Sequence, residues 1–289
     1  MNLLEAMVLG LVQGVTEFLP ISSTAHLRIV PALLGWGDPG AAFSAVIQLG
    51  TVAAVVLYFR KDVVRILVAW FRGLRERAPM GTLDSRLGWY VIIGTIPVGI
   101  AGLLFKKSIE TSWRSLYVIA GSMIVLAIFL LIAERMASHR RTIDQMSMKD
   151  GVVIGLCQAV ALIPGSSRSG TTLTGGLAVG LRREDAARYS FLLSIPANTL
   201  AGIFELRHFL RATDRPSTLA LLVGTTFAFV FGMAAIAGLL SFLRTHTTIV
   251  FVVYRIAIGL ALLALLRSGY LAPISPEPGQ TAQIAQIAS

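Results

Sequence analysis

The chain has 289 residues, 55% of them hydrophobic and only 14% charged, with a mean hydropathy of +0.75 and a formal net charge of +10. One soluble core of that size cannot hide so much apolar surface, so lipid is the expected solvent. The basic residues gather between apolar blocks and form no stripe with interleaved aromatics, which excludes nucleic acid as a partner and marks topology-setting loops.

The apolar residues come in blocks of about 20, the length of a helix crossing a hydrocarbon core roughly 30 Å thick. Barrel strands would alternate in polarity over about ten residues, and 116–132 shows no alternation. At the N-terminus Glu5 stands where a signal peptide would be basic. The apolar run continues past Gln13 and Glu17 without a cleavage signal, so it reads as part of the mature protein. Cys157 is the only cysteine, which leaves no disulfide, thiolate cluster or redox pair within the chain.

Two apolar stretches, 3–34 and 152–181, are each broken midway by a proline closely followed by consecutive serines. Each reads as two short helices joined at a polar turn. Non-helical backbone at membrane depth survives only inside protein or beside a water-filled cavity, so both are expected to be re-entrant hairpins; a pair of kinked ordinary spans is the alternative. Blocks 41–59, 88–105, 115–133, 187–206, 217–243 and 247–266 are the expected spans. Between the first two lies the strongest basic excess, Arg60, Lys61, Arg65, Arg72, Arg75, Arg77 and Arg86 against Asp62, Glu76 and Asp84. The positive-inside rule places that segment in the cytoplasm. Alternation then puts 106–114, 207–215 and the C-terminus outside, and 134–150 and 244–247 inside. The tail 273–289, rich in Pro, Gln and Ala, reads as disordered, leaving 1–272 as a single integral membrane domain.

The halves 1–145 and 146–272 resemble each other. Gly10-Leu-Val-Gln13 matches Gly155-Leu-Cys-Gln158, and Pro20-Ile-Ser-Ser23 matches Pro164-Gly-Ser-Ser167 after a one-residue gap, at an offset of about 145 residues. Ala41-Ala-Phe-Ser44 with Ala187-Arg-Tyr-Ser190, and Ala101-Gly-Leu-Leu104 with Ala237-Gly-Leu-Leu240, extend the likeness. With one hairpin and an odd number of spans per half, the second half enters the membrane inverted. The fold class expected is an all-α polytopic membrane protein of six transmembrane helices and two re-entrant helical hairpins, with hairpin tips meeting near the midplane.

The polar residues gather at those tips. In the first signature, Gln13-Gly-Val-Thr-Glu-Phe-Leu-Pro-Ile-Ser-Ser-Thr-Ala-His26, Gln13 and Glu17 share a helix face. Pro20 breaks the helix, and Ser22, Ser23 and Thr24 are residue types that cap the next one, whose free amides make an anion site near His26. Glu17 and His26 are costly in lipid, so function is their default reading; a structural ion pair and a packing histidine are the bland ones. The second signature, Pro164-Gly-Ser-Ser-Arg-Ser-Gly-Thr-Thr172, offers the Arg168 fork for a phosphate, Gly165 and Gly170 for close backbone approach, and hydroxyls from Ser166, Ser167, Ser169, Thr171 and Thr172. Together they supply a charge clamp, amide donors, a hydroxyl nucleophile and a base. That points to phosphate-ester or anhydride hydrolysis on a lipid whose headgroup sits at the interface. Arg255 reads as snorkelling, holding a lipid head or pairing with Glu205, His139, His208 and His246 as loop residues, and Ser194 and Asn198 beside Pro196 as parts of a kinked span.

At these two signatures the chain resembles the undecaprenyl-pyrophosphate phosphatase family, the bacitracin-resistance proteins of bacterial membranes, over nearly its whole length to about Leu266. The resemblance implies a multi-pass protein of the bacterial inner membrane that removes the terminal phosphate from undecaprenyl pyrophosphate. The monophosphate carrier of peptidoglycan precursors is thereby recycled and bacitracin resisted. It implies help from a divalent cation, Mg or Ca, with Glu17 as a candidate metal ligand, and membrane lipids as partners; a second copy of the chain stays open. By position, Glu17, His26 and Arg168 match the family's essential polar residues and Ser23 its proposed nucleophile, flanked by Ser22 and Thr24. Part of the family has glutamate where this chain has Gln13. The expectation is that His26 takes the Ser23 proton while Glu17 orients His26 or holds the cation; water activated by Glu17 is the alternative. A transporter or lipid flippase is the rival from another class.

Overall fold

The computed structural model describes residues 1–38, 40–211 and 217–273, and these fold almost wholly as helix. The first hairpin begins at Asn2, whose side chain and that of Glu5 close a reciprocal cap on α1, Leu3–Phe18. Leu19 turns to extended backbone before Pro20, which has no N–H to continue the helix. Ser22 then caps α2, Ser23–Leu34, which ends on Gly35 in the left-handed region. After Gly40–Tyr58 (α3) the chain bends by 78° into Arg60–Arg75 (α4). Leu83–Leu104 (α5), the short Lys106–Glu110 (α6) and Leu116–Met136 (α7) complete the first half. The second half comprises Met148–Val160 (α8), Arg168–Ala178 (α9), Arg183–Arg211 (α10), Thr218–Leu243 (α11) and Ile249–Arg267 (α12).

By length and apolar composition α5, α7, α11 and α12 qualify as membrane spans, and α3 with α4 adds a fifth as a bent pair. The six expected blocks are occupied by α3, α5, α7, α10, α11 and α12. The basic segment after residue 59, expected as a loop, folds instead as the amphipathic α4. Of the outer segment 207–215, residues 212–215 lie outside the described residues, as does the tail from 274 onward.

Packing follows the halves. α1 lies along α11 and α8 along α5, while α3 pairs with α10 and α7 with α12. The first two contacts are backbone against backbone. A Cβ on Gly10 would stand 2.2 Å from the Gly224 carbonyl oxygen, and one on Gly155 would stand 2.6 Å from Gly94. Glycine is required where two helices approach that closely.

The hairpins open at opposite ends of α7, which spans roughly 32 Å at the α-helical rise. Asp38, just after α2, receives Arg114 Nη2 at 2.8 Å before α7 begins. Beyond α7, the Arg141 amide donates to the Gly180 carbonyl at 3.0 Å, just after α9. The tips therefore meet between those ends, where Ser169 Oγ donates to the Leu19 carbonyl at 2.9 Å.

Candidate active site

Glu17 is the hub where the tips join. Held buried in the last turn of α1, it accepts Ser23 Oγ at 2.6 Å and Gln13 Nε2 at 3.0 Å on Oε2. Its Oε1 accepts Gln48 Nε2 at 2.9 Å, Asn198 Nδ2 at 3.2 Å and the Arg168 guanidinium. A carboxylate is tolerable at this depth because charge and donors from four other helices replace its hydration.

The two tips share one backbone design. Ser22 has φ 76 and ψ 98; Ser167 has φ 66 and ψ 109. Each caps the helix that follows, Ser22 Oγ accepting the Ala25 amide at 3.3 Å and Ser167 Oγ the Gly170 amide at 3.1 Å. Each also meets the hydroxyl two residues on, Thr24 at 3.1 Å and Ser169 at 3.2 Å. Structurally, then, Ser22 corresponds to Ser167 with no gap, which corrects the alignment of Ser23 with Ser167. Ser23 is the counterpart of Arg168, and these two first-turn side chains converge on the same carboxylate. A left-handed serine carries strain that only the surrounding packing sustains, and here it turns both helix N-termini toward the junction.

His26 does not face Ser23. Its Nδ1 donates to the Ser22 carbonyl at 2.7 Å, and its Nε2 meets the Tyr254 hydroxyl at 2.7 Å. The residue positioned to take the Ser23 proton is Glu17. The hydroxyls of Thr171 and Thr172, read as phosphate donors, turn back to the Arg168 carbonyl at 3.1 and 2.7 Å. Ser166 Oγ is buried without a partner among the described residues. Ser23 and Arg168 are half-buried and Thr24 is exposed, so these three form the accessible edge of the cluster.

Arg255 neither snorkels nor sits at a surface. Fully buried, it donates through Nη2 to the carbonyls of Gly165 at 3.1 Å and Ser166 at 2.9 Å, while Nε and Nη1 have no partner among the described residues. The Glu205 side chain lies outside the described ones. Arg255 is in no ion pair among the described residues, so the second tip carries an unmatched cation, the balance an anionic ligand would complete. His139, expected in solvent, bonds the Glu134 carbonyl at 2.9 Å; His246 is exposed, and the His208 side chain is not described.

Gln48, Asn198, Tyr254 and Arg255 are the site residues that motif reading missed. A polar side chain recurring inside an apolar block was the signal that could have found them. Among the described residues no group of three or more His, Cys, Asp or Glu could hold a metal. Gln13 and Gln48 present their amide nitrogens to Glu17, which leaves its carboxylate as the oxygen ligand this cluster offers a cation.

The family described as Bacitracin resistance protein BacA matches residues 6–261. A relative named undecaprenyl-diphosphatase, from Myxococcus xanthus (strain DK1622), is 70% identical over 275 residues, covering 95% of this chain and 93% of its own. Relatives of the same name from Chloroherpeton thalassium and Chlorobaculum tepidum are each 52% identical, covering 94% of this chain and 99% and 100% of their own.

Proposed function

Because the chain belongs to the bacitracin resistance protein BacA family, we propose that the joined tips are the active site of an undecaprenyl-diphosphatase. The enzyme is a multi-pass protein of the bacterial inner membrane, hydrolysing undecaprenyl pyrophosphate to undecaprenyl phosphate and phosphate. It thereby recycles the cell-wall lipid carrier and confers bacitracin resistance. The observation that carries the reading is the contact of Ser23 and Arg168, one from each hairpin, with a single buried carboxylate.

In the proposed reaction the terminal phosphate enters beside Thr24 and draws Arg168 from Glu17 to its own oxygens. Ser23 Oγ attacks the terminal phosphorus and gives its proton to Glu17, the anhydride P–O bond breaks, and undecaprenyl phosphate leaves with that proton, which frees the Glu17 carboxylate. Water then attacks the phosphorus with its proton passing to the freed Glu17, the bond from Ser23 Oγ to phosphorus breaks, and Ser23 Oγ takes that proton back as phosphate leaves. The amides at the α2 and α9 N-termini meet the charge on the transferring group. His26, locked between Ser22 and Tyr254, holds the α2 turn in shape. Glu17 would be the carboxylate offered to a magnesium or calcium ion, with the substrate's own phosphates beside it, and such an ion would neutralise pyrophosphate charge. Ser167 caps α9, and Ser169 joins the tips through Leu19. All these residues come from one chain, so the chemistry needs no second copy.

Purified protein given a polyprenyl pyrophosphate should release phosphate, and Arg168→Ala should abolish it. Movement of the lipid across a bilayer without phosphate release would overturn the assignment in favour of a flippase.

A further inference from the structure

Helix α4 has three faces. Ile66 and Gly73 are buried against the fold, and Trp70 packs on Trp89 of α5 with ring centroids 5.5 Å apart. Val64, Leu67, Val68, Phe71 and Leu74 follow one another at helical spacing and remain between 43% and 63% exposed. Lys61, Arg65 and Arg72 line a third side, all exposed. Five free apolar side chains on one face would be costly in water. Since α4 leaves α3 at 78°, a membrane-crossing α3 lays α4 close to the membrane plane, with that stripe against acyl chains.

Beside the helix is a cavity of about 960 Å³, to which α4 contributes Val64 and Val68 as an apolar wall and Arg60, Lys61, Arg65 and Arg72 as a cationic rim. Arg65 is committed to Asp62 at 3.3 Å and Asp84 at 2.9 Å. Among the described residues Arg60, Lys61 and Arg72 are in no ion pair, and neither is Glu76, the carboxylate that also lines the cavity. With Arg60, Lys61 and Arg72 against Glu76 the rim keeps a net positive charge beside an oily wall and acyl chains, which matches an anionic phospholipid; a zwitterionic headgroup would bring its own cation against that excess.

We propose that the groove formed by α4 and the turn leading into α5 binds the phosphodiester headgroup of an anionic phospholipid whose acyl chains lie along Val64, Val68 and Phe71. None of these residues belongs to the Glu17 cluster, so the site is separate from the proposed chemistry.

The test uses the full chain extracted from vesicles of mixed phosphatidylglycerol and phosphatidylcholine, with retained lipid identified by native mass spectrometry. Wild type should retain phosphatidylglycerol preferentially. Lys61→Gln with Arg72→Gln should cut that preference by roughly tenfold or more, from the electrostatic attraction each surface cation contributes. Arg140→Gln, an exposed cation elsewhere, should leave it intact, and phosphate release in detergent should be unchanged in both variants. An undiminished preference in the double variant, an equal loss in Arg140→Gln, or displacement by inorganic phosphate would overturn the proposal. Should the double variant fail to fold, wild-type preference read against salt decides: it should fall as salt rises, and salt-independence would overturn the site.

Discussion

The Ser23 hydroxyl donates to the Glu17 carboxylate at 2.6 Å, across the break between α1 and α2. A hydroxyl already bonded to a carboxylate needs only a displaced counter-ion to become a nucleophile with its base in place. Ser23→Ala should therefore lower turnover by about a thousandfold or more, and Glu17→Gln by a similar factor, the range lost with a general base. Rapid quench with a radiolabelled pyrophosphate should trap phosphoserine in wild type and none in Ser23→Ala. Near-normal turnover in Ser23→Ala would instead assign the attack to water.

Arg168 acts through geometry as well as charge. Lysine in its place keeps the cation and loses the planar fork, so Arg168→Lys should retain folding and lose about a hundredfold or more in kcat/KM. Steady-state kinetics beside a thermal melt would separate the two; an equal fall in melting temperature and activity would make Arg168 a structural ion pair with Glu17.

Arg255 ties down the carbonyls of Gly165 and Ser166 in the turn before α9. Methionine fills the same space without leaving an unpaired buried charge. Arg255→Met should fold yet raise KM by about tenfold, the order expected from loss of charge-assisted hydrogen bonds that shape the loop. Arg255→Lys should recover part of the loss, and KM compared across the three proteins reads it.

Gly10 and Gly155 stand where backbones touch. Alanine at either position should destabilise the fold by about 1–3 kcal/mol through overpacking. Gly121, whose Cβ would meet nothing within 4 Å, should accept alanine without effect in the same thermal melt.

At the mouth of the first hairpin Asp38 bonds Arg114 at 2.8 Å and Arg28 from α2. Burial pushes its carboxyl up, but the charges of Arg114 and Arg28 outweigh that and hold it below its ordinary value of 3.8. A carboxylate with a lowered folded-state pKa stabilises above its ordinary value and loses that contribution as pH falls through the folded one. Thermal stability of wild type should exceed that of Asp38→Asn at neutral pH, and the two should converge as pH drops below about 4. A constant difference down to low pH would exclude the ion pair as the cause.

Ser23, Arg168 and Glu17 were legible in the sequence alone, because a proline followed by serines in an apolar stretch has few uses except a polar turn, and a carboxylate in lipid requires partners. The register of the repeat was not. Aligning serine with serine placed Ser23 opposite Ser167, whereas the shared left-handed backbone pairs Ser22 with Ser167. Nor was the partner of the Ser23 hydroxyl, since His26 is three residues away along the chain and Glu17 six, and only side-chain direction brings Glu17 to it. Helix α4 escaped because its charges pointed to a loop while its apolar residues, read linearly, form no block.

Composition and periodicity determined that this chain lives in lipid as helices, because apolar surface and chain length act residue by residue. They also placed the two hairpins, since proline and serine break helices wherever they stand. Tertiary structure alone decided what surrounds Glu17. Asn198 reads as part of a kinked span and Tyr254 sits in an apolar block, and the contacts joining them to Glu17 and His26 cross most of the chain. A partner set by the packing of distant helices leaves no local pattern in the sequence.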